Sequence, residues 1–165
     1  MTLLHDAYIA LLAGLTTKTG NEIHWQDEER ESITVEPIGI SKEKYIVRRY
    51  YKNGNKEWEE EYQNGQRHGK SIEWDENGNK LWEHEYQNGL RHGKHISWNE
   101  KGNKFWEVEW KNGQLHGKHF TWYENGNRYW EREFQNGKLH GKAIEWDEGG
   151  NKKIEEEFQN GVKVK

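Results

Sequence analysis

The stretch "QNGLRHGKHISW", residues 87–98, is followed twenty-four residues later by "KNGQLHGKHFTW", residues 111–122. Asn-Gly, His-Gly and a final Trp keep the same spacing in both stretches. The two dipeptides recur along the chain, with Asn-Gly at 64–65, 88–89, 112–113, 136–137 and 160–161 and His-Gly at 68–69, 92–93, 116–117 and 140–141. A fixed period of this length indicates an architecture of stacked structural repeats.

Each repeat contains two short segments in which apolar and polar residues alternate, as in "GKSIEW" (69–74) and "KLWEHEY" (80–86). This alternation has the period of a β-strand and not that of a helix. Asn-Gly favours the positive φ angles of two-residue hairpin turns. We therefore expect a mainly β fold over residues 45–165, a single-layer twisted antiparallel sheet of tandem hairpins. Its ten strands are predicted to centre near residues 48, 60, 72, 84, 96, 108, 120, 132, 144 and 156.

Residues 1–44 lie outside the repeats and are predicted to form an N-terminal cap. Apolar residues at helical spacing predict an amphipathic helix over roughly residues 3–14. The segment has no Lys or Arg ahead of its apolar residues and carries Asp6, which argues against a signal peptide. The stretch "ITVEPIGI" predicts a short strand broken at Pro37. We expect the cap to cover the aromatic face near Tyr50 and Trp58, with docking of the helix on another protein as the alternative.

The register of the sheet follows if each hairpin is symmetric about its turn. Trp74 then lies opposite Trp82, and one aromatic row crosses the sheet as its core. This predicted row consists of Trp58, Trp74, Trp82, Trp98, Trp106, Trp122, Trp130 and Trp146. On the same face, lysines such as Lys70 would alternate with aromatics such as Tyr86, an arrangement that favours cation–π pairing. The opposite face is predicted to meet a partner through Glu83, Glu107, Glu109, Glu131, Glu133 and Glu145.

Composition and spacing argue against several classes of function. The net charge of −4 supplies no basic field for nucleic acid, and the absence of cysteine removes Cys-based zinc sites. Equivalent histidines such as His92 and His116 stand two strands apart, about 9.6 Å, too far to share one zinc. The glutamates recur in every unit, so no carboxylate pair is singled out for catalysis. We therefore expect no enzyme activity, no cofactor and no metal site.

The repeated residues also carry a family resemblance. Stretches such as "EVEWKNGQLHGK" (107–118) and "EREFQNGKLHGK" (131–142) resemble MORN repeats, and the spacing is most similar to the MORN-repeat-variant class. The first repeat departs from the pattern, with Tyr45 where glycine is expected. The resemblance implies a β-hairpin array that serves as a non-catalytic platform for interaction or assembly with protein partners. MORN-like chains occur in eukaryotic scaffold proteins, in bacteria and in large DNA viruses.

Two alternative functions belong to other classes. Basic residues near the turns would suit a peripheral binder of membrane phospholipid, an activity associated with the MORN name. Some bacterial relatives of this kind are antitoxin-like, which would make the chain an inhibitor of a partner protein. We expect an intracellular, cytoplasmic location, with a virion or another large assembly as a further setting.

Overall fold

The computed structural model describes residues 23–26, 32–37 and 44–165. Within these ranges the chain is mainly β and contains no helix, and its strands form one open antiparallel sheet in sequence order. The predicted helix over residues 3–14 lies outside the described residues. The thirteen strands are β1 (Ile23–Gln26), β2 (Ser32–Pro37), β3 (Lys44–Tyr50), β4 (Lys56–Gln63), β5 (Gln66–Trp74), β6 (Lys80–Gln87), β7 (Leu90–Trp98), β8 (Lys104–Lys111), β9 (Gln114–Trp122), β10 (Arg128–Gln135), β11 (Lys138–Trp146), β12 (Lys152–Gln159) and β13 (Val162–Lys163).

The ten predicted strands of the repeat are confirmed as β3 to β12. The predicted strand that ends at Pro37 is β2, which pairs with β3 along its whole length. The sheet therefore continues beyond the boundary predicted at residue 45. β1 arises from a polar stretch in which no strand was predicted, and it pairs with β2.

Two kinds of turn join the strands. Asn64 and Gly65 both have positive φ, 52° and 75°, which is the conformation of the two-residue hairpin turn that Asn-Gly favours. The other connection is a longer loop in which the Asp75 amide donates to the Asn79 carbonyl at 2.9 Å. Because both connections are short, each strand pairs with the next one in the chain.

The register differs from the symmetric one by one residue. Trp82 pairs with Glu73 and not with Trp74, which pairs with Lys80. Leu81 is the extra residue in this interval, and it makes a β-bulge. A one-residue slip moves a side chain to the other face of a sheet. The predicted aromatic row is therefore wrong as a single row.

The eight tryptophans of the predicted row divide between the two faces of the sheet. We call one surface the histidine face, since it carries His84, His95 and His119; of the eight it carries Trp58, Trp82, Trp106 and Trp130. We call the other surface the ion-pair face, and its tryptophans are Trp74, Trp98, Trp122 and Trp146.

A second bulge lies inside the strands at each His-Gly pair. Glu60 pairs with Ser71 whereas Tyr62 pairs with Arg67, so β5 carries extra residues there. Gly69 has φ 103°, and a Cβ on it would collide with the carboxylate of Glu61. The same relation holds in the other units, in the pairs Gly93 with Glu85, Gly117 with Glu109 and Gly141 with Glu133. Glycine is thus required at these positions by a strand bulge and by a neighbouring glutamate.

The best-buried side chains of the described residues lie mostly on the histidine face. Val47 and Val108 are 0% and 1% exposed, and both stand in the middle of their strands. Their row continues along the sheet through Glu60, Ser71, His84, His95, His119, Arg132 and Ala143. Small or planar residues fill this row, and large aromatic residues stand on either side of it. The single layer therefore has its own core on this face.

Candidate functional site

The centre of the histidine face is an aromatic and imidazole cluster. His84 and His95 are cross-strand partners, and their ring centroids are 3.5 Å apart. The His95 ring also lies edge-on to Trp106 at 5.3 Å and to Trp110 at 6.2 Å. His119 contacts Trp106 from the next strand at 5.6 Å. The cluster thus spans β6 to β9, in the middle of the array.

Several polar atoms in this cluster are buried without a hydrogen-bond partner among the described residues. Both ring nitrogens of His95 and the hydroxyl of Ser97 are in this state, although the two residues are only 3% and 2% exposed. The others on this face are His84 Nδ1, Trp110 Nε1, His119 Nε2 and Thr121 Oγ1. A buried polar group without a partner costs about 1–3 kcal/mol.

Two histidines of the cluster, His95 and His119, are held neutral by their surroundings. Burial lowers the pKa of His95 from 6.5 to about 4. Burial, with the nearby Arg132 guanidinium, lowers the pKa of His119 to about 4 as well. A neutral imidazole offers one N–H donor and one acceptor nitrogen. At neutral pH the cluster therefore presents uncharged hydrogen-bonding groups between indole rings.

A cavity of about 470 Å³ opens on the histidine face beside the cluster. It is lined by Glu73, Trp82, His84, Arg91, His95, Ser97, Phe105 and Trp106. Trp82 is 39% exposed and Phe105 is 53% exposed, both high values for such large apolar side chains. Aromatic walls with a few polar groups are typical of binding sites for small molecules and peptides.

The ion-pair face has the opposite character, because its central row of glutamates is paired with bases of the sheet. Glu83 lies between Lys70 at 2.8 Å and Lys80 at 2.6 Å. We call a glutamate held in this way by two basic side chains a clamp. The clamp recurs along the sheet, with Glu59 held by Arg48 and Lys56, Glu107 by Lys94 and Lys104, Glu131 by Lys118 and Arg128, and Glu155 by Lys142 and Lys152. These glutamates alternate across the strands with Ile72, Ile96, Phe120 and Ile144.

The clamps also cover the tryptophans of the ion-pair face. Lys56 lies over the Trp74 ring at 4.6 Å, and Lys80 lies over the Trp98 ring at 5.4 Å. One lysine therefore pairs with a glutamate of its own strand and stacks on the indole of the next unit. The cation–π pairing predicted between Lys70 and Tyr86 is wrong, because Tyr86 lies on the histidine face, under Arg67 at 5.4 Å.

Five of the six glutamates predicted to form the partner surface lie on the ion-pair face. Glu83, Glu107 and Glu131 are inside clamps there, with side chains 14%, 9% and 17% exposed. Glu109 and Glu133 lie on the same face, beside Gly117 and Gly141. Glu145 pairs with Trp130 and therefore lies on the histidine face. The predicted surface thus loses Glu145, and three of its other glutamates are already paired with bases of the sheet.

Two of the His-Gly histidines, His68 and His140, lie beside the next turn. His68 Nδ1 is 3.4 Å from the Asn88 amide nitrogen, and His140 Nδ1 is 3.5 Å from that of Asn160. The described part of the chain contains no group of three or more His, Asp or Glu side chains that could hold a metal ion. It also contains no helix long and apolar enough to cross a membrane.

In comparisons with known proteins, no family model and no curated protein matches the chain. The resemblance to MORN repeats therefore rests on the repeated residues and on the hairpin pattern.

The sequence contains a signal for the observed register, which the assumption of symmetric hairpins overlooks. Leu81-Trp82, Phe105-Trp106 and Tyr129-Trp130 each place two apolar residues in succession. Such a break in alternation marks an extra residue, and hence a bulge. Glycine inside a strand is a second bulge signal. Together these signals would have placed His84, His95 and Trp106 on one face.

Proposed function

We propose that this chain is a non-catalytic, MORN-like binding module and that an extended segment of a protein partner lies along its histidine face. The observation that carries this proposal is the contrast between the two faces. The histidine face combines an open cavity, exposed Trp82 and unpartnered polar atoms at His95 and Ser97. An extended peptide supplies both the apolar side chains and the backbone N–H and C=O groups that such a surface lacks.

The ion-pair face is the less suitable of the two surfaces for a partner, which supports the choice of the histidine face. Its central glutamates are each engaged by two bases, and its lysines cover its own tryptophans. A partner that bound there would have to break several of these ion pairs for each unit that it covered. The same engagement weighs against the phospholipid alternative, because Lys80 and Lys104 near the loops are partners of Glu83 and Glu107.

The test uses two tryptophans that differ mainly in the face they occupy. Tagged full chains carrying Trp82→Ala or Trp98→Ala are used to retain proteins from an extract of the source organism, and the retained proteins are quantified by mass spectrometry. We expect Trp82→Ala to reduce retention of the specific partner at least about tenfold, the usual effect of losing a central aromatic contact. Trp98→Ala should retain the partner at nearly the unsubstituted level. Circular dichroism and thermal melts control for folding.

A second pair of variants avoids truncation of the core. Arg91 and Lys94 belong to β7, but Arg91 pairs with Tyr86 on the histidine face and Lys94 pairs with Glu109 on the ion-pair face. Arg91→Glu should impair retention, whereas Lys94→Glu should not. The opposite order in both pairs would place the partner on the ion-pair face. Retention of no specific protein, with flotation on acidic liposomes instead, would favour the phospholipid alternative.

A further inference from the structure

One carboxylate on the histidine face stands apart from the clamped glutamates. Glu73 pairs with Trp58 on one side and with Trp82 on the other, so it lies between two indoles. It makes no hydrogen bond or ion pair with any other described residue, and its side chain is exposed to solvent. By contrast, Glu60 in the adjacent row is fully engaged by Arg67, Tyr62 and Ser71.

The cation that acts on Glu73, Arg67, forms its ion pair with Glu60. Burial raises the pKa of this carboxyl group, the nearby charge of Glu60 raises it further, and Arg67 lowers it. An added cation beside Glu73 would reverse this unfavourable balance. The cavity described above reaches Glu73 and gives access to it from solvent.

The equivalent positions in later repeats differ from Glu73. Ser97 and Thr121 replace the carboxylate between the next tryptophans. Glu145 keeps it, but beside Trp130, whose ring already has the Arg132 guanidinium over it at 4.1 Å. The residue that corresponds to Arg132 next to Trp82 is His84, whose ring lies 5.7 Å from that indole. The repeat thus shows, in its last complete unit, a guanidinium on an indole beside a glutamate.

We infer that Glu73 and Trp82 form a binding site for the side chain of a lysine or arginine of the protein partner. The carboxylate supplies the opposite charge, and the indole supplies a face that attracts organic cations. The cavity beside Trp82, which reaches Arg91 and Trp106, accommodates the rest of the partner segment. This inference rests on the proposed function, because it names the chemistry of one residue of the partner on the histidine face.

The experiment titrates the full-length chain with three blocked amino acids, each acetylated and amidated: lysine, arginine and uncharged norleucine. The readout is the indole N–H resonance of Trp82 in two-dimensional NMR, which is assigned by its absence in Trp82→Phe. We expect a saturable shift with the lysine and arginine probes and a response about tenfold weaker with norleucine. Glu73→Gln should weaken the cation response about tenfold.

Glu145→Gln is the matched control, since it removes the same charge from the equivalent position of another repeat. It should leave the response of Trp82 to the lysine probe unchanged. Equal weakening by the two variants would show general attraction of cations to an acidic chain and would overturn the site. An absent response, or an equal response to norleucine, would also overturn it.

These failures remain distinct from failure of the proposed function. If Trp82→Ala abolishes retention of the partner while the probes leave Trp82 unaffected, the histidine face binds the partner without a cation site at Glu73. If retention depends on Trp98 instead, the proposed function is wrong, whatever the probes show.

Discussion

The two faces of this sheet are built from alternate residues of the same strands, yet they reach stability in different ways. On the ion-pair face, each central glutamate is held by two bases, as Glu107 is by Lys94 and Lys104. On the histidine face, stability comes from packed aromatic and small side chains such as Val108, and buried polar atoms such as Ser97 Oγ remain unpartnered. A single-layer sheet has no second layer to cover it. The proposal above places the partner on the face that carries these unpartnered polar atoms.

The comparison is tested most strongly by removing one tryptophan from each face. Trp106 packs against His95, His119 and Trp82, so Trp106→Ala should destabilise the chain by about 3 kcal/mol. Trp98 is covered mainly by the flexible Lys80, and Trp98→Ala should cost about half as much. Urea denaturation followed by circular dichroism measures both values. If the two substitutions lowered the free energy of unfolding equally, the two faces would not differ in how their tryptophans stabilise the sheet.

The two faces should also lose stability in different pH ranges. The folded state lowers the pKa of His95 from 6.5 to about 4, so protons favour the unfolded chain between these values. Stability should be full above pH 6.5 and should fall towards pH 4, by at most about 3 kcal/mol for this residue. Replacing His95 with Phe should remove its share of this slope, whereas the share of His119, whose pKa is also lowered to about 4, should remain.

The ion-pair face should respond only in more acidic solution. The lysines beside Glu83 and Glu107 lower the pKa of both carboxyl groups below 4.5, against the effect of burial. Their contribution is therefore present above pH 4.5 and is lost as the pH falls below it. A single transition shared by the unsubstituted chain and His95→Phe would contradict this separation.

The strand bulges can be tested at two glycines that both have positive φ. Gly93→Ala places a Cβ against the Glu85 carboxylate, whereas Gly89→Ala meets open space. We expect about 1 kcal/mol for Gly89→Ala from backbone strain alone and about 2 kcal/mol for Gly93→Ala. The double variant with Glu85→Ala should recover part of the difference. Identical melting temperatures for the two single variants would show that the glutamate does not occupy this space.

The smallest effects are expected at the clamps themselves, and they should follow burial. The Glu107 side chain is 9% exposed, and Glu107→Gln should cost about 1–2 kcal/mol. The Glu155 side chain is 39% exposed, so Glu155→Gln should cost less and lose its effect sooner in high salt. Thermal melts at low and high salt would measure both. A larger cost at Glu155 would mean that burial does not set the strength of the clamps.

The repeat period and the turn dipeptides were sufficient to predict the strands and their order. An Asn-Gly pair such as the one at Asn88 is enough to predict a turn, and alternation of apolar and polar residues is enough to predict a strand. Strands β3 to β12 could therefore be predicted from short stretches of sequence. The register did not follow, because it depends on the two bulges in each unit, such as those at Leu81 and at Gly69. The assignment of side chains to faces depends entirely on that register.

The candidate site was correspondingly harder to predict than the fold. His84 and His95 belong to different positions of the repeat, and only the bulged register makes them cross-strand partners. In the sequence, Glu73 looks like every other glutamate of the repeat. Only the structure shows that the clamped glutamates have basic partners on the ion-pair face and that Glu73 lies on the histidine face without one among the described residues. The repeat period drew attention to glutamates that occupy the same position in every unit. The candidate site instead depends on residues that differ from one unit to the next.

The central claim is that the bulges set the register of the sheet and therefore decide on which face each side chain lies. A disulfide cross-link between paired strands tests this register most directly. The chain has no cysteine, so introduced pairs report without interference. In the structure, Ser71 is the cross-strand partner of His84, whereas the symmetric register would pair Ile72 with His84. Under mild oxidation, the variant with cysteines at 71 and 84 should form a disulfide rapidly, since paired residues bring their Cβ atoms within reach. The variant with cysteines at 72 and 84 should keep free thiols, and a disulfide in this second variant without one in the first would contradict the account.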